Sequence, residues 1–503
     1  MGEGSLGLKP ILAILVTLIL IFCLSTPINA QVAGAMLTGT VMDSSRSDIP
    51  KAKVTITNEA TGVLRTVEAD SAGIYVAPNL TAGTYDVTIE AAGFSTEVQK
   101  GVILTVGAKQ VLDIPMTVGQ LAQRINVTAA APTVELESSA IGEVVNSTTV
   151  RELPLNGRSW TDLANLQPGV VGVETQLPFT SGSNRGSRGF GAQISISGGR
   201  PQQNNYRLDG ISINDYSNGG PGSVLGGNLG VDAIQEFSVL TSNYSTEYGR
   251  TSGGVVNAIT RSGTNQFHGS FYEFLRNSAL DARNFFDQAV IPPFKRNQFG
   301  GSAGGPIIKD RTFIFGDYEG IRQGKGITSV STVPSADART GLLHYTTTLP
   351  PNCTAISATE CTVNVDPTVQ KFLGLYPLPN GALSSSGNTG KFAFAAQQVV
   401  NENFFTTRVD HKFSEKDSLF GTYLYDDAKY NSPDAFDDSL VGSETKRQLI
   451  VLEETHIFTP NFVNSVRAGI SRSAVANFSG ISAINPLPGT RRSAPFQGWM
   501  PHS

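Results

Sequence analysis

The side chains able to do covalent or metal chemistry are few in this sequence. Cys353 and Cys361 lie close together in a polar segment, and the third cysteine lies in an apolar segment near the N-terminus. In an oxidising compartment the close pair predicts a loop-closing disulfide, with two free thiols as the alternative. The five histidines are scattered, without a spacing suited to a metal. We expect no catalytic centre, no metal site and no cofactor.

Asp209-Gly210 is a different kind of signal, a two-residue turn. It stands between an Asn-rich segment and an alternating Ile-Ser-Ile run, in the sequence NNYRLDGISIND. Asp-Gly between short extended runs predicts a β-hairpin. The glycine-rich run 219–230 matches neither a Walker loop nor a dinucleotide fingerprint. It is therefore interpreted as a loop.

The first thirty residues predict export. Lys9 precedes an apolar run from Ile11 to Leu24, and small residues follow it. This run is shorter than the roughly twenty residues of a bilayer-spanning helix, so residues 1–30 are interpreted as a secretory signal, with an uncleaved anchor as the alternative. The mature chain is expected to begin at Gln31.

The composition limits the functions that the chain can have. The full sequence of 503 residues is long enough for about three domains. The net charge of -5 argues against nucleic acid as a partner. Charged residues make up 16% of the chain, below the roughly 25% of ordinary soluble domains.

Residues 31–118 are predicted to form a small β-sandwich, because short β-branched runs alternate with turn signals. The stretch 70–94, DSAGIYVAPNLTAGTYDVTIEAAGF, resembles the signature of carboxypeptidase regulatory-like domains. The resemblance implies a transthyretin-like or carbohydrate-binding-like sandwich without a protease site. Tyr75, Tyr85 and Phe94 could stack on sugars, but aromatic side chains in a small sandwich are more often core.

Residues 119–135 form a linker by composition. Within it Ile125, Asn126, Val127 and Thr128 form a short extended segment that could add as a strand to the sheet edge of another protein. The plain alternative is a linker that happens to contain a few β-branched residues.

Residues 136–264 carry the most specific signals. The Asp-Gly turn, the strand-like run 233–240 and the run 249–263, in this order, resemble the plug domain of TonB-dependent outer-membrane receptors. The segment LPLNGR and the preceding sandwich resemble the Oar-like branch, although the Arg-Gly-Pro usual after 233–240 is missing. Thr161 is expected to cap a short helix. The residues that carry the plug motif are Arg207, Asp209, Gly210, Gly249, Gly253, Gly254 and Asn257.

Residues 265–503 are predicted to begin a large antiparallel transmembrane β-barrel. Long and short connections alternate between the candidate strands, as the two rims of such barrels require. At this spacing about seven strands are present, fewer than a plugged barrel needs, so the barrel is expected to be incomplete. The candidate strands are 266–276, 295–308, 311–322, 404–413, 418–427, 446–458 and 462–471.

The predicted fold class is therefore mainly β: an N-terminal β-sandwich, an α+β plug and the first strands of a barrel. The resemblance implies an outer-membrane TonB-dependent transporter, with a periplasmic TonB-type partner and an unknown large extracellular ligand, for which carbohydrate and peptide are candidate classes. One alternative is a secreted or surface adhesion protein built from sandwiches. The other is an enzyme carrying the sandwich as an accessory module, which the lack of an acid/base or nucleophile motif disfavours.

Overall fold

The structure is a computed structural model, and almost all of its regular elements are strands, as the predicted fold class requires. The predicted signal, residues 1–30, and Thr128 of the predicted partner-binding segment lie outside the residues that it describes. These are 34–119, 124–127, 140–153, 155, 157–174, 192–215, 218, 220, 230–249, 251–283, 291–434, 436, 439–459 and 462–481.

The N-terminal sandwich packs two sheets face to face. One sheet has the order β4-β1-β7, with β8 also pairing with β1, and the other has the order β3-β2-β5-β6-β9. Inward-facing residues alternate with outward-facing ones, as in β2, because successive side chains of a strand point to opposite faces. The strands are β1 Ala35–Asp43, β2 Lys53–Asn58, β3 Leu64–Glu68, β4 Ile74–Leu80, β5 Gly83–Glu90, β6 Thr96–Leu104, β7 Lys109–Val111, β8 Ile114–Met116 and β9 Arg124–Val127.

The aromatic residues considered for sugar stacking belong mainly to this core. Tyr75 and Tyr85 are buried, and each hydroxyl donates to a backbone carbonyl, that of Leu112 at 2.7 Å and that of Thr81 at 2.6 Å. Phe94 packs against the same core and is partly buried. The expectation that the two tyrosines belong to the core is confirmed, and neither ring has an open face on which a sugar could stack.

The plug has a five-stranded sheet of order β10-β15-β16-β13-β14 beside a hairpin of β11 and β12. The predicted turn is present: Asp209 and Gly210 both have positive φ, 47° and 81°, as a type I′ turn requires. The elements are β10 Ile141–Val145, α1 Ser147–Glu152, β11 Val170–Glu174, β12 Ala192–Ile196, β13 Asn205–Leu208, β14 Ile211–Ser212, β15 Ile234–Ser242 and β16 Val255–Thr260, with 3₁₀ turns at Trp160–Leu166, Pro201–Gln203, Val231–Ala233 and Thr246–Tyr248.

The predicted role of Thr161 as a helix cap is wrong. The segment is a 3₁₀ turn that begins at Trp160, so Ser159 occupies the capping position. Trp160 is buried against Phe237, with ring centroids 4.9 Å apart. Burial of this large ring places Thr161 inside the turn, where its hydroxyl lies 2.9 Å from that of Ser159.

In the described part of the C-terminal region, seven strands form one antiparallel sheet and pair in chain order, and a small three-stranded sheet lies in the connection between the third and fourth of them. This agrees with the predicted strand number. Short connections join the strands at one end, which is the periplasmic rim in outer-membrane barrels. The strands are β17 His268–Asn277, β18 Phe294–Ile308, β19 Thr312–Pro334, β23 Thr389–Lys412, β24 Asp417–Pro433, β25 Ser439–Thr459 and β26 Phe462–Ile481, with a 3₁₀ turn at Ser278–Leu280 in the connection after β17.

Several of these strands are longer than predicted. β19 and β23 pair from Thr312↔His411 to Pro334↔Thr389, where the sequence predicted strands only over 311–322 and 404–413. A bilayer core needs only about ten residues of each strand. In 396–403 of β23 the sequence AQQVVNEN does not alternate apolar and polar residues, although buried and less buried positions do alternate there, so the sequence pattern ended too early. The connection between them holds α2 Ala336–Thr340, β20 Leu342–His344, β21 Thr354–Ala355, β22 Glu360–Thr362 and α3 Pro367–Leu373.

The sheet has one buried and one outward face. In β23 Phe404, Thr406 and Arg408 are buried on the inner face, whereas Phe405 and Val409 point outward. The plug lies against the inner face. Among the described residues, no helix is both long and apolar enough to cross a bilayer.

Candidate functional site

The plug turn at Asp209 meets the inner face of the seven-stranded sheet formed by β17, β18, β19 and β23 to β26, which we call the wall, and forms the candidate site. β13 runs parallel to β16, with Leu208 opposite Ala258, so the turn carries Asp209 to the end of β16. The Asp209 carboxylate is 1% exposed. It accepts the Thr260 backbone N–H at 2.9 Å, the Thr260 hydroxyl at 2.7 Å and the Thr422 hydroxyl at 2.8 Å. Since Thr422 belongs to β24, one plug carboxylate joins plug and wall.

Arg408 of β23 completes this contact. Its Nη1 lies 3.5 Å from Asp209 Oδ1, and its Nη2 lies 2.8 Å from Asp410 Oδ1. The guanidinium also lies 4.2 Å from the Phe420 ring centroid. Removing a charge from water is expensive unless partners replace the water, and here two carboxylates and a ring face do so. We call Asp209, Thr260, Arg408 and Thr422 the plug anchor.

Arg207 and Gly210 shape the turn that holds the anchor. Arg207 is buried, and its Nε donates to the Gly210 carbonyl at 3.2 Å, which braces the hairpin from inside. A side chain at Gly210 would collide with the Arg467 guanidinium, since an added Cβ would lie 2.1 Å from its Nη1. Arg467 belongs to β26 and pairs with Glu453, Nε to Oε2 at 2.8 Å. Gly210 thus permits close approach of plug and wall.

The other plug-motif residues build the plug sheet. A Cβ at Gly253 would lie 2.6 Å from Asn204 Oδ1, and one at Gly254 would lie 2.4 Å from the Ile196 side chain. Gly249 ends the 3₁₀ turn Thr246–Tyr248. Asn257 is buried at the centre of the sheet, opposite residues of β13 and β15. In the structure these residues pack the plug, whereas Asp209 and Gly210 lie against the wall.

A second polar contact between plug and wall was not found by sequence reasoning. Arg158 Nη2 lies 2.7 Å from Asp232 Oδ2, and its Nε lies 3.4 Å from Glu319 Oε2 of β19. Its guanidinium is 3.8 Å from the Tyr272 ring centroid. The segment LPLNGR contains this arginine, so the signal was present, but nothing local indicated its partners. An apolar patch of the wall also joins the plug core: Phe404, Leu424, Leu449 and Val451.

The sandwich contacts the periplasmic rim of the same wall. Asn79 Nδ2 donates to Glu453 Oε1 and to the Thr455 hydroxyl, both at 3.0 Å. Asn265, at the entry to the barrel region, donates its side-chain amide to the Thr61 carbonyl at 2.7 Å. Polar contacts of this kind exchange readily with water. The sandwich is thus docked on the rim beneath the plug.

The sandwich also contacts the plug directly. The backbone N–H of Val106 donates to the Glu236 carboxylate in β15. Burial raises the pKa of Glu236 to about 7, against the opposing effect of this hydrogen bond. The carboxylate therefore titrates near neutral pH.

The predicted partner-binding segment is a strand in the structure. Arg124 to Val127 form β9, which pairs in parallel with β6 of the sandwich, from Thr96↔Arg124 to Gln99↔Val127. A linker was predicted here, but the chain folds back on the sheet that precedes it. Whether this strand binds a partner stays a prediction.

The two cysteines meet in the long connection after β19. Cys353 and Cys361 form a disulfide, with Cα atoms 5.6 Å apart. Cys361 lies in β22, and hydrogen bonds between His344 and Asn388 tie the same connection to the start of β23. The bridge closes a small loop on the side of the wall opposite the periplasmic rim.

His456 has acidic neighbours that the sequence did not reveal. His456 lies beside Asp417 and Glu454 at the periplasmic rim, with potential ligand atoms within 4.8 Å of one another. His456 and Asp417 already form an ion pair, and all three side chains are partly exposed. The arrangement is that of a rim ion pair between neighbouring strands.

Comparison with known proteins agrees with this architecture in three segments. Residues 36–117 match the family of the carboxypeptidase regulatory-like domain. Residues 135–256 match the TonB-dependent receptor plug domain, and residues 259–499 match an outer membrane beta barrel domain.

Two known relatives are similar to part of this chain. The chain is 28% identical over 296 residues to the TonB-dependent transporter Oar of Myxococcus xanthus, covering 56% of this chain and 26% of Oar. It is 30% identical over 221 residues to the probable TonB-dependent siderophore receptor PirA of Acinetobacter baumannii, covering 42% of this chain and 26% of PirA. The chain thus spans about a quarter of the length of these relatives.

Among solved structures, the outer membrane transporter YddB of Escherichia coli is similar with a TM-score of 0.42 and 14% identity, over 67% of this chain and 39% of YddB. The family matches cover the sandwich, the plug and the barrel in the order that the structure shows. On these matches the chain belongs to the family of TonB-dependent outer-membrane receptors.

Proposed function

We propose that this chain gates the passage of a large ligand across the outer membrane. The plug closes the lumen, and a periplasmic TonB-type partner that binds residues 124–129 by strand addition supplies the work that moves it. The family consists of receptors and transporters rather than enzymes. The alternative of a secreted protein built only from sandwiches does not account for the seven-stranded wall.

The plug anchor is the observation that carries the proposal. A plug domain must stay in the lumen when no ligand is bound, and it must still be movable when force is applied to it. Asp209 and Arg408 are buried, which fixes the plug in one register on the wall. Their partners are hydroxyl, guanidinium and carboxylate groups, which water can replace once the plug and the wall separate. Force applied to the plug would therefore break discrete polar contacts.

A reversible tether tests the gating. The hydroxyls of Thr260 in the plug and Thr422 in the wall lie 3.3 Å apart, so Thr260→Cys with Thr422→Cys places two thiols across the seam. In the intact receptor, the oxidised pair should abolish ligand uptake, and reductant should restore it. The two single variants control for loss of the Asp209 contacts.

A matched tether within the wall serves as the control. The hydroxyls of Ser270 in β17 and Ser302 in β18 lie 3.0 Å apart, and both belong to the wall. Ser270→Cys with Ser302→Cys should leave uptake unchanged when oxidised. Full uptake with the plug tethered to the wall would contradict gating by this plug.

The partner is tested at its predicted segment. Val127→Pro removes a backbone N–H, and strand addition depends on main-chain hydrogen bonds, so partner crosslinking should fall more than with Val127→Ala. Unchanged crosslinking would remove this segment from the mechanism.

The ligand is proposed to be a carbohydrate or a peptide, with chelated iron as the third class because one relative is named a siderophore receptor. Growth of intact and deleted strains on defined polymers, peptides and chelates distinguishes the three. Tyr75 and Tyr85 of the sandwich take no part in sugar binding, since both rings are buried.

A further inference from the structure

The edge of the sandwich sheet carries an unexpected strand. β9 lies outside β6, and the sheet order is β3-β2-β5-β6-β9. Four consecutive residues pair in register, with Val98 opposite Asn126. Among the described residues, β9 is therefore the last strand of this sheet. Its backbone is held extended by the folded sandwich and not by the plug.

The two edges of a strand in this position differ in their hydrogen bonding. Successive N–H and C=O groups of a strand point to alternate sides, so part of the β9 backbone bonds to β6 and the rest points away from it. Within the described part of the chain, no strand pairs with that outer edge. An outer edge of this kind is a template for one more strand.

We infer that β9, held on β6, is a preformed docking edge at which the partner adds as the next strand of the sandwich sheet. The inference rests on the proposed function, because it takes residues 124–127 as the partner-binding segment. The partner that fits is a protein with its own exposed extended strand. Main-chain hydrogen bonds give such binding its affinity, and an already extended strand loses less conformational freedom on binding than a free linker does.

β6 can hold β9 in one of two ways: it either presents the strand to the partner or conceals the strand from it. If β6 conceals the strand, β9 must leave β6 before the partner binds, and fixing β9 to β6 blocks binding. If β6 presents the strand, fixing β9 in place leaves binding intact. Work applied to β9 then acts first on the sandwich, which contacts the wall through polar groups at Asn79 and Asn265.

A disulfide between β6 and β9 decides between these outcomes. Val98→Cys with Asn126→Cys joins two directly opposed positions. The control, Thr88→Cys with Val98→Cys, joins β5 to β6 at an opposed pair and leaves β9 untethered. The probe is the periplasmic domain of the TonB protein of the same cell, and its Kd for the detergent-solubilised intact receptor is measured with oxidised and reduced protein.

We expect the β6–β9 disulfide to form and the Kd of the oxidised protein to stay within about twofold of the reduced value, in both variants. A Kd at least tenfold weaker in the oxidised Val98→Cys, Asn126→Cys protein alone, restored by reductant, would show concealment and overturn the inference. Failure of this disulfide to form, while the control disulfide forms, would also overturn it. Asn126→Pro and Val127→Pro, made separately, test the proposed function, because one of these two successive N–H groups points to the outer edge of β9: if both variants leave the Kd unchanged, the partner does not use this segment at all.

Discussion

The plug and the sandwich attach to the same wall in different ways. The plug shares an apolar core with the wall through Phe404 and Leu424, and it adds buried polar contacts at Asp209 and Arg158. The sandwich has its own closed core, in which no wall residue takes part among the described residues. Its contacts with the wall are hydrogen bonds at the rim.

This difference shows which unit can move independently. Apolar burial scales with area and is lost as a whole, whereas separate hydrogen bonds at the rim can be replaced by water one at a time. The sandwich can therefore separate from the rim without unfolding. The plug cannot leave the wall without exposing apolar surface, so moving it requires external work. The following variants test this contrast.

The largest effect is expected in the sandwich core. Leu37 is fully buried. Leu37→Ala should destabilise the sandwich by about 2 to 5 kcal/mol through lost burial and the cavity left behind. Hydrogen exchange of the intact receptor should show faster exchange in β1 to β8 and unchanged exchange in the plug strands β13 and β16. Equal acceleration in both regions would show that the sandwich and plug unfold together.

A smaller effect is expected at the plug anchor. Asp209→Ala leaves the buried Thr260 N–H without its acceptor, a loss of about 1 to 3 kcal/mol, while Arg408 keeps Asp410. The plug should be looser on the wall, and cells should become sensitive to a large antibiotic that an intact outer membrane excludes. Asp70→Ala in an exposed sandwich turn is the control. Equal antibiotic sensitivity in the two variants would remove the anchor from the gate.

The contact between plug and sandwich should depend on pH. The pKa of Glu236 is raised by burial from 4.5 to about 7 in the docked state. Separation of the sandwich exposes this carboxyl to water and lowers its pKa toward 4.5. The docked state therefore keeps the proton to a higher pH, and docking weakens as the pH rises toward about 7.

Energy transfer between labels at Lys100→Cys in the sandwich and Glu415→Cys on the rim reports this docking. The transfer should fall as the pH rises to about 7. Glu236→Gln should make it independent of pH in this range. A pH dependence that persists in Glu236→Gln would assign the effect to another group.

The smallest effect is expected at the rim. Asn79→Ala removes hydrogen bonds to Glu453 and Thr455, a change of about 0.5 to 1.5 kcal/mol in docking. The same label pair should show a modest loss of transfer, with the exchange rates of the sandwich core unchanged. A loss of core protection would contradict the separation of docking from folding.

The sequence by itself determined the domain order, the Asp209-Gly210 turn and the number of wall strands among the residues that the structure describes. These features are encoded locally: turn chemistry fixes the hairpin, and alternation with short connections fixes the strands. It underestimated β19 and β23, and in 396–403 of β23 apolar and polar residues do not alternate, although buried and less buried positions do.

Only the tertiary structure decided which groups meet. Asp209 and Arg408 are far apart in the sequence, and no local pattern states that the wall brings them within 3.5 Å. Arg158 gained Glu319 as a partner, and residues 124–127 became a strand of the sandwich, for the same reason. Each contact depends on how the wall and the sandwich fold around the plug, which is a property of the whole chain and not of any segment of it.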